Sequence, residues 1–257
     1  MVIPIEFTKD YVEENSPKEN QLFSGFLKSG EPYKSIFKNN PWLIPPDTSK
    51  PLEWGKGMYW DTTVARKHDY WKDFDLPQPT KDINVMRQNI LEWGYCLVED
   101  AMSEEQCERF ITRIHQQAKG EKLAGVNAKS STGQYLHSLI NKGQVFRECI
   151  EQNPNSVQAG PLIEQILNET LGYGWICHSF LSNGADPGGY PQGMHMDQGP
   201  LLPWVTEEAP ALFNTMYIPQ DVNEENGGTL LIPGSHKIFM EAGSGGEIGK
   251  LPPTINL

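Results

Sequence analysis

The residue pattern of the chain changes at Gly172. Before this glycine, apolar residues recur every three or four positions, as they do along the buried face of a helix. After it, short β-prone runs at residues 174–181, 192–197, 211–218 and 229–232 alternate with turns rich in glycine and proline. Short strands at such close spacing are typical of a sandwich or a barrel. The sequence therefore predicts an α+β fold, mostly β, with a helical N-terminal layer.

Four stretches before Gly172 have the spacing of helices. Asp82 to Trp93 forms the first helix and Gly94 stops it, while Ser103 and Gln106 make a capping box that starts the second. The apolar stripes of the four helices are Ile83, Met86, Ile90 and Trp93; Cys107, Phe110, Ile111 and Ile114; Val145, Phe146, Cys149 and Ile150; and Leu162, Ile163, Ile166 and Leu167.

The connections between these helices also carry signals. Tyr95 to Val98 is predicted to be a short strand, and the small polar residues from Lys119 to Gly133 a loop. A helical segment is predicted to begin near Tyr135, and Asn153-Pro154 ends the third helix.

Residues 1–80 have a different composition from the rest. Prolines are frequent and forbid long regular elements, yet aromatic residues are too frequent for a disordered segment. The residues concerned are Pro41, Pro45, Pro46 and Pro51, with Trp42, Trp54, Tyr59, Trp60, Tyr70 and Trp71. We expect an arm that wraps the core or contacts substrate, followed by a single domain over residues 81–257.

Charge and cysteine usage limit the possible partners. The net charge of -12 and the pI near 5.0 give no basic surface for nucleic acid or an anionic membrane, which favours a small-molecule partner. The four widely spaced cysteines are predicted to be buried free thiols in a reducing compartment. Residues 1–10 do not have the pattern of a signal peptide, so a cytoplasmic location is expected.

His195 and Asp197 are the candidate metal ligands. On an extended segment, residues two apart point to the same face, where an imidazole nitrogen and a carboxylate oxygen can bind one divalent ion. Two histidines and one carboxylate on one side of an octahedron suit non-haem Fe(II). A hydrogen-bonded His–Asp pair with a purely structural role is the alternative interpretation.

The residues from Asn223 to Lys237 read Asn-Glu-Glu-Asn-Gly-Gly-Thr-Leu-Leu-Ile-Pro-Gly-Ser-His-Lys. This sequence resembles that of the phytanoyl-CoA dioxygenase family of Fe(II)/2-oxoglutarate oxygenases. The family typically has His-x-Asp, an apolar strand with an Asp near its end, Glu-Asn-Gly, and Ile-Pro-Gly-Ser-His. Here the matching residues are His195 and Asp197, Phe213 to Asp221, Glu225 to Gly227, and Ile232 to His236. The resemblance covers about residue 82 to 257 and leaves the arm unexplained.

The resemblance implies a double-stranded β-helix, the cupin-like jelly roll, with Fe(II) bound by His195 and Asp197. It also implies 2-oxoglutarate as co-substrate, held in part by Gln192 and Thr229, and O2 as oxidant. An amide and a hydroxyl are suitable donors to a carboxylate or keto oxygen. Thr229 also fits a plain β-branched strand residue. Asp at position 197 implies hydroxylation of an unactivated C–H bond or a related oxidation, because a halogenase leaves that ligand position vacant for chloride.

The third iron ligand is not expected to be His236. In the family, the Pro-Gly-Ser-His motif is a structural turn, and the distal histidine lies on a later strand. The resemblance therefore implies that this histidine, the cation that pairs with 2-oxoglutarate and the C-terminal strands of the jelly roll lie beyond Leu257.

Two alternatives from other classes remain open. One is a non-catalytic family member or fragment that acts through binding or through a partner chain. The other is a different metal enzyme on a cupin-like barrel, with zinc at the same face. The sequence identifies neither the substrate nor the oligomeric state.

Overall fold

The computed structural model describes residues 43–44, 59–60, 69–130, 132–151, 156–189, 197, 210–223, 225–237 and 254–257. The predicted arm falls mostly outside these ranges. Its described part includes an antiparallel pair of two-residue strands, β1 (Leu43–Ile44) and β2 (Tyr59–Trp60), and a 3-10 turn at Asp69–Trp71.

The first helix, α1, spans Ile83–Trp93 and confirms the prediction. The Asp82 side chain accepts a hydrogen bond from the backbone N–H of Asn84 at 2.8 Å, which satisfies one free donor of the first turn. Gly94 ends the helix in the left-handed region, with φ of 79°, where a residue without a Cβ is favoured. Met86, on the inner face of α1, is fully buried.

The second helix, α2, spans Glu104–Leu123 and begins with the predicted capping box of Ser103 and Gln106. The prediction of a loop from Lys119 onward is wrong for the residues up to Leu123. The reason is a tertiary contact, since the carboxylate of Glu121 is buried against the Lys142 ammonium and accepts from Gln117 Nε2 at 2.9 Å. This ion pair holds the last turn helical.

The helices α3 (Gln144–Glu151) and α4 (Gly160–Leu171) complete the layer, and Gly172 ends α4 as predicted. The core of the layer is aromatic, because the rings of Phe110 on α2 and Phe146 on α3 meet edge to face with centroids 5.2 Å apart. The side chains buried around them are Leu136, Leu139, Cys149 and Val157.

A three-stranded antiparallel sheet lies beside the helices and consists of β3 (Ala128–Lys129), β4 (Gly133–Leu136) and β5 (Ser182–Ala185). The prediction of a helical segment near Tyr135 is therefore wrong. The β-prone run 174–181 is not a strand either. Pairing with β4 begins only at Ser182, which lies opposite Leu136. Asn183 lies between the runs 174–181 and 192–197, where a glycine-rich turn was predicted, and it pairs with Tyr135 instead.

The polar composition of β5 explains this shift. The side-chain oxygen of Asn183 accepts from the hydroxyls of Ser130 and Thr132 at 3.2 and 2.8 Å. A side chain at Gly133 would overlap the backbone of Gly184, so only glycine permits this close approach of β4 and β5. Hydrogen bonds and small residues therefore form this strand pair in a stretch where the sequence indicated a turn.

Other predicted strands are shorter or absent. Tyr95–Val98 contributes only a parallel bridge from Val98 to Thr80, and residues 211–218 have no ladder partner among the described residues. The strand predicted at 229–232 is confirmed as β6 (Leu230–Leu231), which pairs antiparallel with β7 (Ile255–Asn256). Helices and small antiparallel sheets are thus observed, without a closed barrel in the described ranges, and the jelly roll remains a prediction.

All four cysteines are free thiols, as predicted, but they are not all buried. Cys149 is buried, Cys96 and Cys107 are partly buried, and Cys177 is exposed because the run 174–181 lies at the surface. Burial raises the pKa of Cys149 to about 12 and that of Cys96 to about 11, so both remain protonated at neutral pH. None of the described helices has the length and apolarity needed to cross a membrane.

Candidate metal centre

Asp197 is the one predicted metal ligand that the structure describes. Its side chain is exposed, and Asn214 Nδ2 donates to its Oδ2 at 2.5 Å. His195 and Gln192 lie outside the described residues. The sequence interpretation missed Asn214, although a signal was present, since this asparagine interrupts the apolar run that begins at Leu212 and Phe213.

The chain enters the candidate segment from a turn fixed on the sheet. The backbone N–H of Asp186 donates to the Thr132 carbonyl at 3.0 Å, and the N–H of Gly189 donates back to Asp186 at 2.8 Å. A side chain at Gly189 would overlap the Thr132 carbonyl, so glycine is required for this approach. The residues just before the candidate ligands are therefore anchored to the connection between β3 and β4.

The segment that carries Asn214 is anchored to the helical layer by Tyr217. The Tyr217 hydroxyl donates to the backbone carbonyl of Cys149 at 2.8 Å, close to the C-terminal end of α3, where carbonyls lack partners within the helix. The Tyr217 ring lies 6.3 Å from the Phe180 ring, which in turn lies 6.4 Å from Phe146.

The Glu-Asn-Gly motif forms a tightly hydrogen-bonded turn. Asn223 and Asn226 bond reciprocally, since the Asn223 N–H donates to Asn226 Oδ1 at 2.6 Å and the Asn226 N–H donates to Asn223 Oδ1 at 3.2 Å. The Gly228 N–H donates to the Asn223 carbonyl at 2.7 Å and closes the turn. Thr229 and β6 follow directly after this turn.

The Pro-Gly-Ser-His motif caps α1. The Gly234 N–H donates to the Trp93 carbonyl at 2.8 Å, and His236 Nε2 lies 3.3 Å from the Leu91 carbonyl, so two of the last carbonyls of α1 gain partners. A side chain at Gly94 would overlap the His236 imidazole. This packing agrees with the prediction that His236 has a structural role.

Thr229, predicted to contact 2-oxoglutarate, is partly buried immediately before β6. Its backbone carbonyl accepts from the Leu257 N–H at 3.0 Å, which aligns β6 and β7. Within the described part of the chain no hydrogen bond engages its hydroxyl, which is the group that a bound carboxylate would use.

The described residues do not by themselves form a metal site. Across the ranges given above, no three His, Cys, Asp or Glu side chains converge as a complete protein site would require. The donor chemistry of Asp197 nevertheless fits, because a carboxylate oxygen is the anionic ligand of non-haem Fe(II) sites, and an imidazole stands two residues upstream at His195.

A cleft of about 330 Å³ lies near the start of α4. Its polar groups satisfy one another, since Lys81 Nζ and Asp100 Oδ2 are 2.7 Å apart and Gln158 Nε2 donates to the Asp100 carbonyl at 2.7 Å. The described residues that line it are Lys81, Glu99, Asp100, Gln158, Ala159, Pro161 and Leu162, and neither Asp197 nor Thr229 is among them.

Comparison with known families decides the membership of the chain. The family model of phytanoyl-CoA dioxygenase (PhyH) matches residues 90–244, which is more than half of the sequence. The chain belongs to this family. The match spans His195, Asp197, Asn214 and Thr229, and the family in general comprises Fe(II)/2-oxoglutarate oxygenases that act on small molecules. No curated protein and no solved structure gives a significant match.

Proposed function

We propose that the protein is an Fe(II)/2-oxoglutarate-dependent dioxygenase that oxidises an unactivated C–H bond of a small organic molecule. In the balanced reaction, one oxygen atom of O2 enters the substrate as a hydroxyl group. The other enters succinate, which forms from 2-oxoglutarate with release of CO2. The observation that carries this proposal is the family match across residues 90–244, which contains His195-Met196-Asp197.

His195 and Asp197 would hold the metal in this proposal, and Asp197 contributes the negative charge. Fe(II), when bound, supplies O2 activation coupled to oxidative decarboxylation. Gln192 and Thr229 would orient 2-oxoglutarate by donating hydrogen bonds to its oxygens. The fold of this chain would contribute anchored segments on either side of the metal, so that the ligands need little reorganisation when the ion binds.

The test is anaerobic addition of Fe(II) and 2-oxoglutarate to the protein. We expect a charge-transfer band at about 500 nm, because a chelated 2-oxo acid on non-haem Fe(II) absorbs in the visible. Asp197→Ala and His195→Ala should abolish the band, while His115→Ala, an exposed residue of α2, should leave it unchanged. Absence of the band from the folded wild-type protein would contradict the oxygenase assignment and favour a binding role.

Thr229→Val separates co-substrate binding from metal binding in the same assay. Valine keeps the β-branched shape but removes the hydroxyl, so the strand should be retained. We expect the band to need about tenfold more 2-oxoglutarate for half-saturation, as the loss of a hydrogen bond to a charged group predicts. An unchanged half-saturation would show that Thr229 is only a strand residue.

A further inference from the structure

The contact between Asn214 and Asp197 joins two segments that are 17 residues apart. An ionised carboxylate has acceptors only, so the Asn214 amide must direct an N–H toward Asp197 Oδ2. The distance of 2.5 Å places the two groups in direct contact. The amide therefore restricts rotation of the Asp197 carboxylate about its last side-chain bond.

Asn214 is itself held in place by the core. It is three residues from Tyr217, whose hydroxyl donates to the Cys149 carbonyl on α3 and whose ring faces Phe180. The hydroxyl and ring contacts of Tyr217 thus fix this segment against the helical layer. A continuous path thus leads from α3 through Tyr217 and Asn214 to the carboxylate of Asp197.

We propose that Asn214 is a positioning residue that orients the Asp197 carboxylate for metal binding. Hydrogen bonds to a ligating carboxylate fix its direction, and loss of such a partner typically weakens metal binding about 10- to 100-fold. This proposal rests on the proposed function, because it assigns a role to Asn214 through Asp197. A surface hydrogen bond without this role would affect stability alone.

The variant that tests the proposal is Asn214→Leu, which has nearly the same shape but no donor and no charge. Its matched control is Gln220→Leu, which also replaces an exposed amide by leucine in the same part of the chain. Fe(II) affinity is measured anaerobically by titration, together with the wavelength of the charge-transfer band formed with 2-oxoglutarate. Thermal unfolding of the metal-free proteins reports any structural effect.

We expect Asn214→Leu to weaken Fe(II) binding at least about tenfold and to shift the band, with metal-free unfolding no more affected than in Gln220→Leu. Wild-type Fe(II) affinity and an unshifted band in Asn214→Leu, with Asp197→Ala defective, would overturn the positioning role and leave the proposed function standing. If the wild-type protein bound no Fe(II), or Asp197→Ala bound it as tightly as wild type, the proposed function itself would fail.

Discussion

Arg87 on α1 and Glu169 on α4 form a two-point ion pair between helices. Arg87 Nε donates to Glu169 Oε2 at 2.7 Å and Arg87 Nη2 donates to Oε1 at 2.5 Å, while Gln165 Nε2 donates to Oε1 at 3.0 Å. The hydrogen bonds from Arg87, reinforced by Gln165, lower the pKa of Glu169 from 4.5 to about 2. Both side chains reach solvent, so the pair orients the helices more than it stabilises them.

The sign of the resulting pH dependence follows from the lowered pKa. The ionised form of Glu169 is favoured in the folded protein, so its contribution is complete above about pH 4.5 and is lost as the pH falls toward 2. We expect Glu169→Gln to lower the urea midpoint at pH 7, with the difference from wild type shrinking below pH 4.5. The control is Glu164→Gln, exposed on the same helix, and an equal effect of both variants would contradict the prediction.

At the scale of elements, segments from the second half of the chain cap helices from the first half. The turn at Gly234 and His236 supplies partners to the last carbonyls of α1, and Tyr217 does the same for α3. Helix ends leave four carbonyls without intrahelical partners, so these contacts satisfy groups that would otherwise need water. The ends of α1 and α3 therefore gain partners from segments that are distant in the sequence.

Gly94→Ala tests the docking of the turn on α1. Alanine would incur about 1–2 kcal/mol for the left-handed conformation and would also overlap the His236 ring. Gly125→Ala is the matched control, since Gly125 has φ of 68° and open space around it. We expect Gly94→Ala to lower the free energy of unfolding, measured with urea, by clearly more than Gly125→Ala does.

The His236→Ala substitution completes this double-mutant cycle. In the His236→Ala background the overlap is gone, so the cost of Gly94→Ala should fall toward that of Gly125→Ala. An equal cost of Gly94→Ala with and without the His236 side chain would contradict the close packing of the His236 ring on Gly94.

At the scale of the whole molecule, the aromatic core connects the helical layer to the candidate metal segment. Phe146 is fully buried, touches Phe110 on α2 edge to face, and faces Phe180, which faces Tyr217. Because Tyr217 lies three residues from Asn214, this row of rings connects the centre of the core to the partner of Asp197.

Phe146→Ala should destabilise the protein by about 3–5 kcal/mol, since it removes a large buried ring and leaves a cavity. Ile176→Ala, at a side chain that is 80% exposed, should change the unfolding free energy by less than about 0.5 kcal/mol. Urea denaturation followed by circular dichroism measures both variants. A cost below about 1 kcal/mol for Phe146→Ala would contradict the packing described for this ring.

The sequence by itself determined what depends on near neighbours. The capping box of Ser103 and Gln106, the stop at Gly94 and the helical stripes are set within one or two turns of chain, and the structure confirms them. The sequence around Glu225 to Gly227 likewise indicated the phytanoyl-CoA dioxygenase family, and the family match confirms this prediction. His195, Gln192 and residues 1–80 remain predictions, since they fall wholly or mostly outside the described ranges.

Only the tertiary structure decided what depends on contacts between distant segments. Strand β5 forms at a polar stretch because Asn183 and Gly184 meet β4, and α2 continues past Lys119 because Lys142 pairs with Glu121. The partner of Asp197 is of the same kind. Periodicity and propensity describe one element at a time, whereas the Asn214 amide contacts a carboxylate that lies 17 residues earlier in the chain.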